Sequence, residues 1–377
     1  MSEAFIISAV RTPVGLGRPS GALAPFSPVE LTALVLQAAV KRAGIDPGQV
    51  EDVVWGCVTP IADQGANLAR LGVLKAGFPM HVPAVTLSRM CGSSQQAIHF
   101  AAQAILAGDM DIVIAGGTEM MSHQLLGADY PKEWPEGMLY KLVHQGISAE
   151  MMAEKYNLTR EELDDYAYQS HLRAMKAIQN NYFESQILPI TLSDGREIKI
   201  DEGVRMPPNR DKMASLQPAF KPDGVITAAN ASQVSDGSAA LVLASTKAVG
   251  AYNLTPLARI ITRYVTGSDP VLMLDGPIPA TRQALRRSGF SLDQIDIIEI
   301  NEAFASVVLA WAKEIKPDIS RVNPNGGAIA LGHPLGATGA ILMTKLVHEL
   351  QRTKGTYGMQ TMCIGHGMAT ATIIERI

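Results

Sequence analysis

Apolar positions along the chain fall into two recurring patterns. Short β-branched runs at residues 4–10, 53–55, 82–87 and 112–115 predict strands. Longer stretches with apolar residues three and four apart, at 29–43, 67–76 and 94–107, predict helices, closed by Gly44, Gly77 and Gly108. The alternation resumes late in the chain: a strand over 295–300, a helix over 340–350, a strand over 358–362. Strands alternating with helices predict an α/β fold.

The late part echoes the early part. Lys41-Arg42-Ala43-Gly44-Ile45, then Gln49-Val50-Glu51-Asp52-Val53-Val54, has a counterpart in Arg286-Arg287-Ser288-Gly289-Phe290, then Gln294-Ile295-Asp296-Ile297-Ile298-Glu299. The pairs Arg42/Arg287, Gly44/Gly289 and Gln49/Gln294 are each 245 apart. The same offset carries Cys91 onto Gly336, inside the Gly-rich turn that opens the helix at 340–350. Two copies of one βα unit related by a pseudo-twofold would place these turns face to face; a chance echo is the alternative. Between the copies, residues 119–234 read as an insertion, with an amphipathic helix at 160–180 and turns at Asp194-Gly195 and Asp223-Gly224. Residues 236–245 predict a helix start and then a strand, 239–243, returning to the first sheet. The predicted division is 1–118 plus 235–256, 119–234, and 257–377.

Candidate chemistry lies on strand ends and Gly-rich turns. Cys91 sits in a predicted strand-to-helix turn, where unpaired N–H groups and the helix dipole favour a thiolate; a buried structural cysteine is the alternative. His333 is held between Gly332 and Pro334, either as a functional imidazole or as a structural hydrogen-bonded one. Cys363 lies in the Gly-dense loop Cys363-Ile364-Gly365-His366-Gly367. Asn301 ends the strand at 295–300 and is either a functional amide or a helix N-cap. Cys57 reads as structural.

Composition narrows the setting. With 47% hydrophobic residues, 18% charged and a net charge of −4, no basic field invites nucleic acid or a membrane surface. Three cysteines form no disulfide framework, no signal peptide opens the chain and no apolar run spans a bilayer, so a cytoplasmic protein is expected. Neither a nucleotide-cradling Gly motif nor metal-ligand spacing occurs, so no cofactor or metal is expected.

Four motifs, Cys91-Gly92-Ser93-Ser94, Asn301-Glu302-Ala303-Phe304-Ala305, Gly332-His333-Pro334 and Cys363-Ile364-Gly365, together resemble those of thiolases, the acyl-CoA:acetyl-CoA acyltransferases, along almost the whole chain. Residues 125–143 resemble them least. Gln217-Pro218, Ala231-Ser232-Gln233 and the segment from Gly276 to Arg282 are most similar to degradative thiolases, nearest those of steroid side chains. The resemblance implies a duplicated five-layer α-β-α-β-α core with an inserted loop domain. It implies ping-pong thiolysis of a 3-ketoacyl-CoA, with CoA and acyl-CoA as substrates, in a homodimer or homotetramer. By the same resemblance Cys91 is the nucleophile, His333 its base and Cys363 the acid. His333 and an Asn301-held water form one oxyanion hole; the Cys91 and Gly365 N–H groups form the other. Ser232 and Arg205 fall near CoA, His144 near the thioester, and Met273 and Phe220 at the pocket wall. Two alternatives share these residues: condensation of acetyl-CoA to acetoacetyl-CoA, and a non-catalytic acyl-CoA binder of the same fold. Two positions depart from the family pattern. Ser88 stands where many thiolases carry Asn, and His366 stands where Gly or an apolar residue is usual.

Overall fold

The computed structural model describes residues 3–377. The first apolar run forms β1 (Ala4–Arg11), buried along its length. Helix α1 (Pro28–Ala43) follows, opened by the Ser27 side chain accepting the Glu30 N–H and closed by left-handed Gly44. Then come β2 (Asp52–Gly56), α2 (Leu68–Lys75), β3 (Ala84–Leu87), α3 (Ser93–Ala107) and β4 (Ile112–Met120). After an excursion carrying α4 (Gln145–Lys155) and α5 (Arg160–Gln179), β5 (Ser235–Ser245) inserts between β1 and β4. The second unit comprises β6 (Ala258–Gly267), α6 (Pro277–Ser288), β7 (Ile297–Ile300), α7 (Ala305–Ile315), α8 (Leu335–Thr353), β8 (Tyr357–Ile364) and β9 (Met368–Arg376).

The echo in the sequence is a duplication in space. The strands run β7-β8-β9-β6-β1-β5-β4-β2-β3, the two units ordered symmetrically about the β1–β6 seam, where Phe5 pairs with Arg259 and Ile6 with Ala258. Gly44 and Gly289 are both left-handed helix caps. The offset also carries the start of β2, Asp52, onto that of β7, Ile297, and the start of β4, Ile112, onto that of β8, Tyr357. Even the edges correspond: Val53 pairs in parallel with Ala84, and its counterpart Ile298 bridges in parallel to Val322.

Helices α1 and α2 cover the outer face of the first unit, while α6 and α7 cover that of the second. Helices α3 and α8 fill the middle layer, packing Ala97, Ile98, Ala340 and Met343 against Val113 and Leu241 on one side and Ile297 and Ile374 on the other. Such burial, at ~25 cal/mol per Å² of apolar surface, is the main term holding the halves together. The five expected layers are present, with the two sheets joined at the seam.

Three local expectations differ. Gly116-Gly117 does not end β4, which continues to Met120. A Cβ on Gly116 would lie 2.4 Å from the Trp55 ring, and one on Gly117 would lie 2.2 Å from Gly336 O, so these glycines admit close neighbours rather than a turn. Residues 236–238 open no helix, because β5 runs unbroken from Ser235, with Asp236 Oδ1 accepting the Ser122 N–H at 2.8 Å. The strand before Cys91 is shorter than predicted and lies at the sheet edge, with Val85 46% exposed rather than buried.

The excursion between β4 and β5 leaves the first unit but packs α4 and α5 on α7 of the second. Asp194-Gly195 does close a small hairpin, Ile190–Thr191 with Glu197–Ile198; at Asp223-Gly224 only a turn forms. Two buried polar anchors fix the excursion. Arg11 grips Asp201 with two bonds of 2.6 and 3.0 Å, and Glu302 accepts from Tyr166 (2.8 Å) and Ser170 (2.6 Å) on α5. Among the described residues no helix is long and apolar enough to cross a membrane.

Candidate active site

Chain geometry presents Cys91 at a sharp elbow. Met90, the residue before it, is left-handed at φ 45°, and Ser93 ties the turn by accepting the Arg89 N–H (2.9 Å) and donating to Met90 O (2.6 Å). Ser88 Oγ reaches the Met90 N–H at 3.4 Å, the bond that this departure supplies. Gly92 is needed because a Cβ there would lie 2.3 Å from Ile364, which brings the Cys363 loop against the elbow.

Cys91 is 5% exposed. Burial raises its thiol pKa, opposed by the nearby Gly365 N–H and Gln145 side chain. The thiolate-favouring position before α3 is thus opposed by desolvation, and the thiol needs a base to react. Cys363, at the end of β8 and 1% exposed, is pushed up by burial and then by the neighbouring charge of Cys91.

His333 is fixed in its Gly-rich turn by both backbone and ring. Its backbone N–H is held by Gln233 O (3.1 Å) and Ser235 Oγ (3.2 Å). The Thr338 hydroxyl donates its one proton to Pro334 O (2.8 Å), so at 2.6 Å from His333 Nδ1 it can only accept. Nδ1 therefore carries the imidazole proton, and Nε2 presents a lone pair. Asn301 Nδ2 lies 3.3 Å from that nitrogen, which agrees with the tautomer. Burial lowers the His333 pKa to about 4, which keeps the ring neutral. Asn301 is not a helix cap, since α7 is capped at Phe304; its Oδ1 is buried and has no hydrogen-bond partner in the protein.

A cavity of about 380 Å³ opens over Cys91, lined by Gly365, His144, Gln145, Met273 and Leu335 below and by Leu126, Tyr130 and Trp134 above. His144 caps α4, accepting the Gly146 N–H at 3.0 Å, and stacks on Phe220 at 5.3 Å, which in turn meets Phe304 edge-on at 6.0 Å. Met273 is buried and left-handed at φ 62°. Ser232, Arg205 and Phe220 do not line this cavity, Phe220 lying behind His144. Ser232 is half-buried, its N–H on Ala303 O at 2.9 Å; Arg205 is exposed, its N–H on His171 Nδ1 at 3.2 Å. His366 faces the cavity, not Cys363, whose shift it does not cause.

Sequence reasoning missed Gln145 and the roof, whose signal was a run of Leu and aromatic residues within the charged segment 125–140. It also missed Glu119. This buried carboxylate accepts from the Val58 (2.7 Å), Thr59 (3.1 Å) and Gly336 (2.9 Å) N–H groups, joining β4 to the start of α8. Cys57 lies beside it, structural as expected, 3.9 Å from Glu119 Oε1. Among the described residues no group of three His, Cys, Asp or Glu side chains could hold a metal.

Two family models divide the chain between them: the thiolase N-terminal domain matches residues 4–247 and the thiolase C-terminal domain matches residues 254–376. The chain belongs to the thiolase family. It is 50% identical to the steroid 3-ketoacyl-CoA thiolase of Mycobacterium tuberculosis, over 100% of this chain and 95% of that protein. It is 42% identical to an acetyl-CoA acetyltransferase of Chromobacterium violaceum, over 99% and 100%. The crystal structure of human mitochondrial 3-ketoacyl-CoA thiolase superimposes with a TM-score of 0.91 at 37% identity, over 100% of this chain and 99% of that one.

Proposed function

We propose that this acyltransferase cleaves a 3-ketoacyl-CoA with CoA, giving acetyl-CoA and a shortened acyl-CoA through an acyl-Cys91 intermediate. Cys91 Sγ attacks the 3-keto carbon as its proton passes to His333 Nε2. The Cα–Cβ bond breaks, its electron pair going to the acetyl-CoA enolate. Cys363, held as a thiol by burial, protonates that carbon. CoA then attacks the acyl-Cys91 carbonyl; its thiol proton restores Cys363, and the proton on His333 returns to the departing Cys91 sulfur. Once protonated, His333 stabilises the enolate oxygen together with a water on Asn301, and the Cys91 and Gly365 N–H groups serve the acyl oxygen. Each such donor contributes about 3 kcal/mol.

The observation that carries this reading is the tautomer of His333: a neutral imidazole with its lone pair on Nε2, in contact with the Asn301 amide. Intact-mass analysis after incubation with acyl-CoA in the absence of CoA tests it. One acyl adduct, on Cys91, is expected; an adduct on Cys57 or Cys363 alone overturns it. The same residues run the condensation to acetoacetyl-CoA. The roofed cavity favours longer or bulkier acyl groups, and a higher kcat/KM for acetoacetyl-CoA than for every larger substrate would reverse that preference.

The remaining assignments are of a piece with this reading. Exposed Arg205 and half-buried Ser232 contact CoA, and His144, Met273 and Phe220 contact the thioester and acyl group. The three units we propose are 1–118 plus 235–256, 119–234 and 257–377. The protein works in the cytoplasm in lipid degradation, as a homodimer or homotetramer. Support for assembly comes from β3, an open sheet edge with exposed Val85.

A further inference from the structure

The acyl end of the cavity is not uniformly apolar. His366 is left-handed at φ 63°, a conformation that turns its ring away from β8 and into the cavity. There it meets Trp134 edge-on at 5.5 Å and Tyr130 at 6.0 Å, with those two rings 5.6 Å apart. Asp129 lines the same cavity. On these two residues, His366 Nδ1 and Asp129 Oδ1 are buried and have no hydrogen-bond partner in the protein. Nothing in the carbon–carbon cleavage uses either group.

A saturated alkyl chain entering this space would leave both atoms unpaired, which is unfavourable. An oxygenated chain would not: a hydroxyl can donate to the carboxylate oxygen or accept from the imidazole N–H. We propose that His366 and Asp129 select 3-ketoacyl-CoAs whose acyl group carries a hydrogen-bonding oxygen beyond the 3-keto group, its carbon skeleton packed against Tyr130 and Trp134. This rests on the thiolase reading and specifies its substrate class.

The test compares kcat/KM for a graded series of saturated 3-ketoacyl-CoAs with the same chains bearing one terminal hydroxyl. In the parent protein, at least one chain length is expected to prefer the hydroxylated form about tenfold or more. His366→Gly removes the ring at a backbone position that glycine adopts without strain, and should collapse the preference to within about threefold. His366→Asn keeps a polar group close to the place of Nδ1 at a left-handed position that Asn tolerates, and should retain most of it. Asp129→Asn should reduce the preference for the hydroxylated form. Equal kcat/KM for both members of every pair in the parent overturns the proposal and leaves the thiolase reading intact. So does a preference that survives His366→Gly and Asp129→Asn unchanged. Failure of the parent to cleave any member overturns the thiolase reading, and this proposal with it.

Discussion

Thr338→Val is a sharp probe of how His333 is set. The substitution keeps shape at a buried site but removes the oxygen that accepts the Nδ1–H at 2.6 Å. A neutral hydrogen bond contributes about 1 kcal/mol net, and a buried N–H left without a partner costs ~1–3 kcal/mol. The competing tautomer, protonated on Nε2, can donate to the unpartnered Asn301 Oδ1 once that amide turns over. A shift of ~2 kcal/mol toward it corresponds to a loss of roughly thirtyfold in the fraction of His333 able to take the Cys91 proton. Single-turnover acylation of Cys91, followed by rapid quench and mass spectrometry, should therefore slow by about ten- to thirtyfold. Thr338→Ser should recover most of the rate, because its hydroxyl keeps both bonds. A folded Thr338→Val protein that acylates at the parental rate would refute the tautomer argument.

The pH behaviour of the two catalytic groups is separable. Because burial raises the Cys91 pKa above the ordinary thiol value of 9.0, its alkylation by iodoacetamide should climb through pH 9 without a plateau near neutrality; such a plateau would indicate a resting thiolate–imidazolium pair. His333, lowered from 6.5 to about 4, stays a base as pH falls through 6.5, so the acid limb of Cys91 acylation should lie near pH 4. In the middle layer, Gly339→Ala would set a Cβ 2.3 Å from the Gln95 backbone nitrogen, forcing α3 and α8 apart. Urea denaturation should show a loss of about 1–3 kcal/mol, and an unchanged midpoint would contradict that packing.

Much of this was legible in the chain because the informative residues act locally. Gly44 and Gly289 end helices by their own backbone preference, so the duplication showed in the sequence before any contact was known. Cys91, His333, Cys363 and Asn301 stand beside glycines or at strand ends, which marks them without knowledge of their neighbours. What failed depends on distant partners. Gly116 and Gly117 look like a turn until Trp55 and Gly336 are placed against them. The polar start of β5 reads as a helix opening until the Ser122 N–H finds Asp236. The dipole argument at Cys91 is sound locally but ignores the enclosure by Val58, Leu335 and Ile364, which reverses the sign of the shift. Tyr130 and Trp134 belong to a segment whose spacing predicts no element, so only the folded chain shows that they roof the cavity.

The seam between β1 and β6 has a bearing on how substrate enters. Strand pairing runs unbroken across it, and the two middle helices are clasped by both units, with Glu119 tying β4 to the start of α8. A molecule built this way has no line along which its halves can swing apart, unlike two-lobed enzymes that open about a crevice. Cys91, His333 and Cys363 are therefore rigid fixtures, and admission falls to the roof, where Leu126, Tyr130 and Trp134 are exposed and carried by a loop. On the proposed reading, an acyl group reaching Cys91 meets the side chains of this loop and not a crevice between the halves.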